Sequence, residues 1–281
     1  MKKILIGLFM NLFLITGILA QERTSLNVAT YNLRMDNPND GENAWPNRKE
    51  MVKALIQFHD FDIFGTQEGF IHQLRGILEA EAYDFVGVGR DDGKEAGEHS
   101  AIFYKKDRFT ILDKGNYWLS ETPDVPGKGW DATCCNRICS WAKFKDKITG
   151  KEFFFFNVHY DHEGKEARRE SSKLMISKIK SIAGSVPFFC TGDFNATPES
   201  EPIQIIANEG TLIDSYKITK QPPYGPVGTY QGFKIQTRQE GRIDYIFVSE
   251  GIQVNKHGVL TDMNYNRFPS DHFPVMAEVE W

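Results

Sequence analysis

The chain has 281 residues, with 33 basic against 38 acidic side chains and a formal net charge of −5 at neutral pH. That length suffices for one large folded unit. The acidic balance argues against tight binding to a long nucleic-acid duplex, which needs clustered Lys and Arg on its phosphates, but leaves a small phosphorylated substrate open.

Met1-Lys2-Lys3, an apolar stretch from Ile4 to Ala20 and the polar Gln21-Glu22-Arg23 predict a secretory signal peptide over residues 1–20. The stretch falls short of the ~20 apolar residues of a permanent span. The expectation is a secreted or periplasmic protein, cleaved near Ala20, with no stable membrane insertion and one domain over residues 21–281. Cleavage removes Lys2 and Lys3, so 31 basic residues face 38 acidic ones and the net charge becomes −7.

Strand-like runs follow at 26–31, 63–66, 85–88, 101–104, 153–158, 188–191, 243–248 and 275–279. The run Phe153-Phe154-Phe155-Phe156 is apolar throughout, as in a strand covered on both faces. Val275, Ala277 and Val279 alternate with Met276, Glu278 and Glu280, which predicts one wetter face. Helices are expected over 47–59, with Asn47 and Glu50 in a capping-box pattern, over 166–183 with Gly184 as its stop, and over 201–208. The Pro- and Gly-rich segments 121–137 and 221–237 read as long functional loops. Alternating β and α without internal repeats predicts a layered α/β domain with sizeable sheets.

The chemistry-bearing residues sit at strand ends. Asn32 and Glu68 each close a strand, and a lone carboxylate there suits a hard cation. His159 follows the Phe-rich strand; Asp161 and His162 beyond it read as the start of a solvated loop. Gly192-Asp193-Phe194-Asn195 sets a carboxylate beside an amide, with Gly allowing a sharp exit from the strand. The carboxylate can deprotonate an attacking water while the amide donates to a phosphate oxygen. In Ser270-Asp271-His272-Phe273-Pro274 the imidazole is a base or a charge stabiliser, with Asp244 as its orienting partner. No Gly-rich phosphate loop, Gly-x-Ser-x-Gly or His-Glu-x-x-His occurs. Cys134, Cys135, Cys139 and Cys190 are too few for a disulfide framework and lack zinc spacing. Export permits a bridge, with Cys139 and one neighbour the candidate pair, which sequence does not assign; Cys190 reads as a small buried hydrophobe.

Together these segments resemble the endonuclease/exonuclease/phosphatase superfamily over nearly the whole chain after residue 20. The resemblance implies a four-layered α/β/β/α sandwich, two mixed β-sheets packed face to face with helices outside. It implies Mg²⁺ or Mn²⁺ held by Glu68, with Asn32 beside it and Asp271 at or near the metal. Asp193 would activate the water, Asn195 would bind the phosphate, and His272, paired with Asp244, and His159 would serve the phosphoryl group. Trp118-Leu119-Ser120-Glu121-Thr122-Pro123 and Gly228-Thr229-Tyr230-Gln231-Gly232-Phe233 resemble exported bacterial members and make Trp130, Arg137 and Tyr230 candidates for substrate contact. The reading is an exported phosphoesterase acting on a small substrate. Two alternatives stay open: a nuclease acting on DNA or RNA, and a non-catalytic binding module.

Overall fold

The computed structural model describes residues 25–235 and 241–281. The expected signal segment lies outside the described residues, as does the end of the 221–237 loop. No helix among the described residues is long and apolar enough to cross a membrane.

Among the described residues, twelve strands form two six-stranded sheets. The first contains β1 (Leu26–Asn32), β2 (Ile63–Gln67), β3 (Tyr83–Val86), β4 (Ile102–Lys105), β11 (Gln253–Val259) and β12 (Val275–Glu280), in the order β11-β12-β1-β2-β4-β3. The second contains β5 (Phe109–Trp118), β6 (Ile138–Asp146), β7 (Glu152–His159), β8 (Phe188–Asp193), β9 (Ile213–Asp214) and β10 (Asp244–Val248), in the order β5-β6-β7-β8-β10-β9. Each sheet is mixed, with one parallel pair (β1 with β2, β7 with β8) among antiparallel ones.

Three apolar clusters make four layers of this. One, with Val28 and Ile63 from the first sheet and Phe153, Phe155 and Phe189 from the second, lies between the sheets. Another packs Phe154, Phe156 and Val158 under α3 (Lys165–Ala183) and α4 (Glu201–Glu209). The third packs Ala29, Tyr31 and Phe64 under α1 (Trp45–Phe58) and α2 (Ile71–Leu78). Alternate phenylalanines of β7 thus enter different cores, as expected of a strand covered on both faces. On β12 the predicted alternation holds: Val275, Ala277 and Val279 are buried between the sheets while Glu278 and Glu280 are half-buried.

Several local expectations are corrected. α1 begins at Trp45, where Pro46 presets the first turn, and no side chain caps it; Asn47 instead donates to the Gly41 carbonyl, so no capping box forms. The expected stop at Gly184 holds, with φ of 56° after α3. The strands β5, β6 and β11 form from mixed polar sequences without the apolar periodicity that marks an element, and the short helix α2 is a further element beyond those expected. Gly192 does not mark an exit from the strand, since β8 runs on through Asp193. Its hydrogen allows close approach instead: a Cβ there would meet the Val158 carbonyl oxygen at 2.2 Å.

A buried polar seam locks the two sheets together beneath the site. Asn157 of β7 donates to the Thr66 and Ala101 carbonyls (2.8 and 2.9 Å) and accepts from Gln67 and Thr191 (2.7 and 3.0 Å). Every hydrogen-bonding atom of the Asn157 amide is used, and such a buried network specifies how the layers meet.

Candidate active site

The register of three neighbouring strands sets the floor of the site. His159 stands opposite Asp193 across β7 and β8, and Asp193 stands opposite Asp244 across β8 and β10. From the facing sheet, Asn32 and Gln67 end β1 and β2 side by side, and Glu68 follows at once. Asp271 and His272 arrive from the turn before β12. Glu68, His159, Asp193, Asp271 and His272 line one cleft of about 670 Å³, while Asn32, Gln67 and Asp244 support them from behind its wall.

Asn32 ties the two sheets' functional groups together. Its amide nitrogen donates to Glu68 Oε1 at 3.0 Å and to Asp193 Oδ2 at 3.1 Å, while its oxygen accepts from the Arg34 backbone N–H. Glu68 Oε2 accepts from the Met35 N–H at 3.1 Å. These bonds hold Glu68 at a φ of 64°, a conformation costing a non-glycine residue about 1–2 kcal/mol. Burial opposes the charge on Glu68, but His272, Asn32, the Met35 N–H and Arg34 together hold its carboxyl below the usual range. Asp271 is buried too, and burial raises its carboxyl. The Arg34 guanidinium lies 4.0 Å from Glu68 and 3.9 Å from Asp271, so these carboxylates already face one cation. The carboxylates of Glu68 and Asp271 offer oxygen donors, which fits a hard divalent ion, whereas Asn32, expected beside the metal, presents its nitrogen to Glu68 and keeps its oxygen on the Arg34 N–H.

His272 Nδ1 lies 2.9 Å from Asp244 Oδ2, both residues buried. Burial works against charging the ring, yet Asp244, then Asp193 and Asp271, raise it well above its ordinary value. Of the two roles open from sequence, carboxylates that favour the charged ring suit charge stabilisation better than action as a base. Burial, with Asp244 alongside, pushes the Asp193 carboxyl up to about 7, where it can take a proton from water. Ligand atoms of Asp193, Asp244 and His272 also lie within 4.8 Å of one another, a spacing that can hold a metal. Entry of a metal at Nδ1 would break the His272–Asp244 bond, so the Glu68–Asp271 side is the better cation position.

His159 is kept neutral by burial, then by Arg137 and Arg90. The Asn195 amide nitrogen lies 3.2 Å from His159 Nε2 and donates to the Tyr160 carbonyl at 3.1 Å, while the Asn195 N–H donates to Asp193 Oδ1 at 2.9 Å. The contact with Asn195 occupies Nε2 of His159 and leaves Nδ1 without a hydrogen-bond partner.

The expected substrate contacts divide. Arg137 and Tyr230 line the cleft, Tyr230 being 44% exposed with its ring edge-on to His272 at 5.0 Å. Trp130 does not line it. Its backbone N–H is held by Glu121, and the turn at φ of 51° carries the ring elsewhere. Asp161 is no solvated loop residue: it is 1% exposed, accepts from the Glu163 and Gly164 N–H groups and pairs with Arg137 at 3.3 Å. His162, against expectation, lines the cleft and lies 2.7 Å from Arg137. Cys134 and Cys135 are bonded to each other at the cleft wall, not to Cys139, which is free and buried under α3 like Cys190. Arg242, beside Asp244 in sequence, serves structure. It pairs with Asp214 at 2.6 and 2.9 Å between the rings of Tyr216 and Tyr245.

Sequence reading missed Arg34, Arg48, Arg90 and Glu98. Arg48, on α1, donates to the Pro269 and Arg34 carbonyls (3.1 and 2.5 Å) and so joins the two loops that carry the cation-facing groups. Arg90 and Glu98 pair at 2.6 Å, and Glu98, pushed up to about 7 chiefly by burial, lies 3.8 Å from His159 Nδ1. Their only signal was a charged, Gly-rich turn over 89–98, which reads equally as surface.

Residues 29–272 match the model of the endonuclease/exonuclease/phosphatase family. The chain belongs to that family. An endonuclease/exonuclease/phosphatase family protein of Bacteroides thetaiotaomicron is 49% identical, with a TM-score of 0.88, the match covering 92% of this chain and 98% of that one. The mannosyl-6-phosphatase of Bacteroides thetaiotaomicron VPI-5482 is 48% identical with a TM-score of 0.87, over 91% of this chain and all of that one. Among curated proteins, the 3'-5'-exoribonuclease subunit of the CCR4-Not complex of Mycosarcoma maydis is 22% identical over 90% of this chain. The chain spans 50% of that subunit's length. The relatives thus include a protein named as a phosphatase and one named as an exoribonuclease, and enzymes of the family generally depend on a divalent ion, which the acidic groups of this cleft could hold.

Proposed function

We propose that the protein is a divalent-metal-dependent phosphoesterase, using Mg²⁺ or Mn²⁺, that hydrolyses a small phosphate ester, a sugar phosphate above all. The observation that carries this is Asp193, buried beside the imidazolium pair of His272 and Asp244 on one side and tied through Asn32 to Glu68 on the other. Glu68 and Asp271 would hold the cation, which supplies positive charge to phosphoryl and leaving-group oxygens. Asp193 takes the proton of the attacking water. His272 presents its Nε2 proton to the phosphoryl oxygens, with Asp244 holding the ring. Asn195 orients His159, and Asn32 keeps the cation carboxylate and the base in register. The acidic net charge of −5 disfavours a polyanionic duplex over long range, and the kinship to a mannosyl-6-phosphatase supports a phosphorylated sugar. Residues 1–20 would direct export, and sequencing the N-terminus of the exported protein should find it near Gln21.

The test is a Mg²⁺-supplemented panel of hexose phosphates, nucleotides, inositol phosphates, phospholipids, plasmid DNA and RNA. Turnover of a hexose phosphate that is lost with Glu68→Gln and in excess chelator is the expected result. Plasmid nicking or RNA degradation without small-ester hydrolysis would replace this reading with the nuclease one.

A further inference from the structure

Two guanidinium groups stand in the cleft wall that the chemistry above does not use. Arg90 follows β3 and Arg137 precedes β6, and both line the cleft with His159. Each is largely buried, with side-chain exposures of 12% and 5%, and each has a single carboxylate partner, Glu98 at 2.6 Å and Asp161 at 3.3 Å. Two like charges act together on His159, and Arg137 also acts on Arg90. Each guanidinium is thus held in the wall by one carboxylate, which keeps it in place while its remaining N–H groups stay open to an anion in the cleft.

Their hydrogen-bond inventory points the same way. Arg90 spends one terminal nitrogen on Glu98. Arg137 spends Nε on Asp161 and one terminal nitrogen on His162. The second terminal nitrogen of each has no partner among the described residues, and neither is sealed inside the protein. The Arg90 backbone is fixed by Trp118 Nε1, which donates to its carbonyl at 2.7 Å, and by Asn136 at 3.3 Å. Asp161, which holds Arg137, is itself fixed by the two backbone N–H groups ahead of α3. Both donors are therefore preset beside His159, which lies 3.6 Å from the proposed base Asp193.

A phosphodiester has two non-bridging oxygens and one negative charge. A terminal phosphate has a third such oxygen and, with a second pKa near 6, up to two charges at neutral pH. The cation side and the His272 side meet the oxygens that both ester classes share. We propose that Arg90 and Arg137 are specificity-determining residues that receive the third oxygen and the extra charge, so that the protein selects phosphomonoesters over diesters. This rests on the phosphoesterase reading and adds to it the residues that set the class of ester.

The experiment compares p-nitrophenyl phosphate with methyl p-nitrophenyl phosphate, which share a leaving group, at equal Mg²⁺ and for each variant. Wild-type protein should prefer the monoester. Arg137→Gln and Arg90→Gln should each lower monoester kcat/KM by roughly 10–100-fold, the worth of one or two charge-assisted hydrogen bonds, and leave the diester within about threefold. Arg137→Lys and Arg90→Lys, which keep the charge but lose the fork, should fall between. The ratio of the two substrates is internal to each preparation, so partial unfolding moves both rates and leaves it unchanged. A wild-type preference for the diester, equal losses on both esters, or an unaffected monoester rate would overturn the proposal while the hydrolase reading stands. A wild-type protein that cleaves neither ester nor any hexose phosphate would remove both.

Discussion

Asp244→Asn isolates what the carboxylate contributes to His272 with almost no change of shape. Asp244 Oδ2 lies 2.9 Å from His272 Nδ1 and Oδ1 is sealed in the protein without a partner. The amide must offer its oxygen to Nδ1–H, which leaves its NH₂ where Oδ1 stood, buried and unpaired. Two losses follow. The bond to His272 drops from charge-assisted to neutral, a difference of about 1–2 kcal/mol, and the ring loses the nearest charge that keeps it an imidazolium. If the imidazolium stabilises phosphoryl charge, kcat should fall roughly 10–30-fold at pH 7. His272→Ala, which removes the group itself, should cost roughly 10²–10⁴. The orphaned NH₂ should cost about 1–3 kcal/mol of stability, or a few degrees in Tm for a chain of this size. Steady-state kinetics on the best small ester, with thermal melts of the same preparations, decide the matter. An Asp244→Asn variant with wild-type kcat, or one as impaired as His272→Ala, would refute the role given to the pair.

Asp193→Ala should lose roughly 10²–10⁴ in kcat while its melting transition stays cooperative, since a positioned proton acceptor is removed from a cleft and not from a core; a wild-type rate would remove Asp193 as the base. Gly65→Ala should destabilise strongly, because a Cβ there would meet Asn157 Oδ1 at 2.1 Å and Thr191 Oγ1 at 2.3 Å. Overpacking costs about 1–3 kcal/mol before the broken seam is counted, read as a lower urea midpoint at unchanged slope. His257, buried against Ser215, has its pKa lowered from 6.5 to about 4 by burial. The unfolded chain therefore takes the proton first, so stability is complete above pH 6.5 and falls by about 3 kcal/mol as pH drops to 4. His257→Phe should flatten that part of the acid limb, and an equal fall of wild-type and variant stability with pH, read from urea midpoints across this range, would remove His257 as its cause.

The amino-acid sequence by itself determined the layers and the chemical inventory. Alternating burial along β7 and β12 is a local property, since successive side chains of a strand point to opposite faces, and Phe153–Phe156 and Val275–Val279 display it directly. Asn32, Glu68, His159, Asp193, Asp244, Asp271 and His272 stand at or beside strand ends, so a reading of strand ends finds them. Only the tertiary structure decided which ends meet. Glu68 and Asp193 belong to different sheets, and the sheets' relative placement depends on a seam through Asn157, a residue whose neighbours in sequence suggest catalysis. The same held in loops. Trp130 and Arg137 lie seven positions apart in one Pro- and Gly-rich stretch, yet a left-handed turn removes the first from the cleft and Asp161 holds the second in it. Arg90 and Glu98 came from a turn that local sequence cannot tell from solvated surface, because burial of a charged pair depends on what packs over it, here Trp118 and Asn136 from a distant part of the chain.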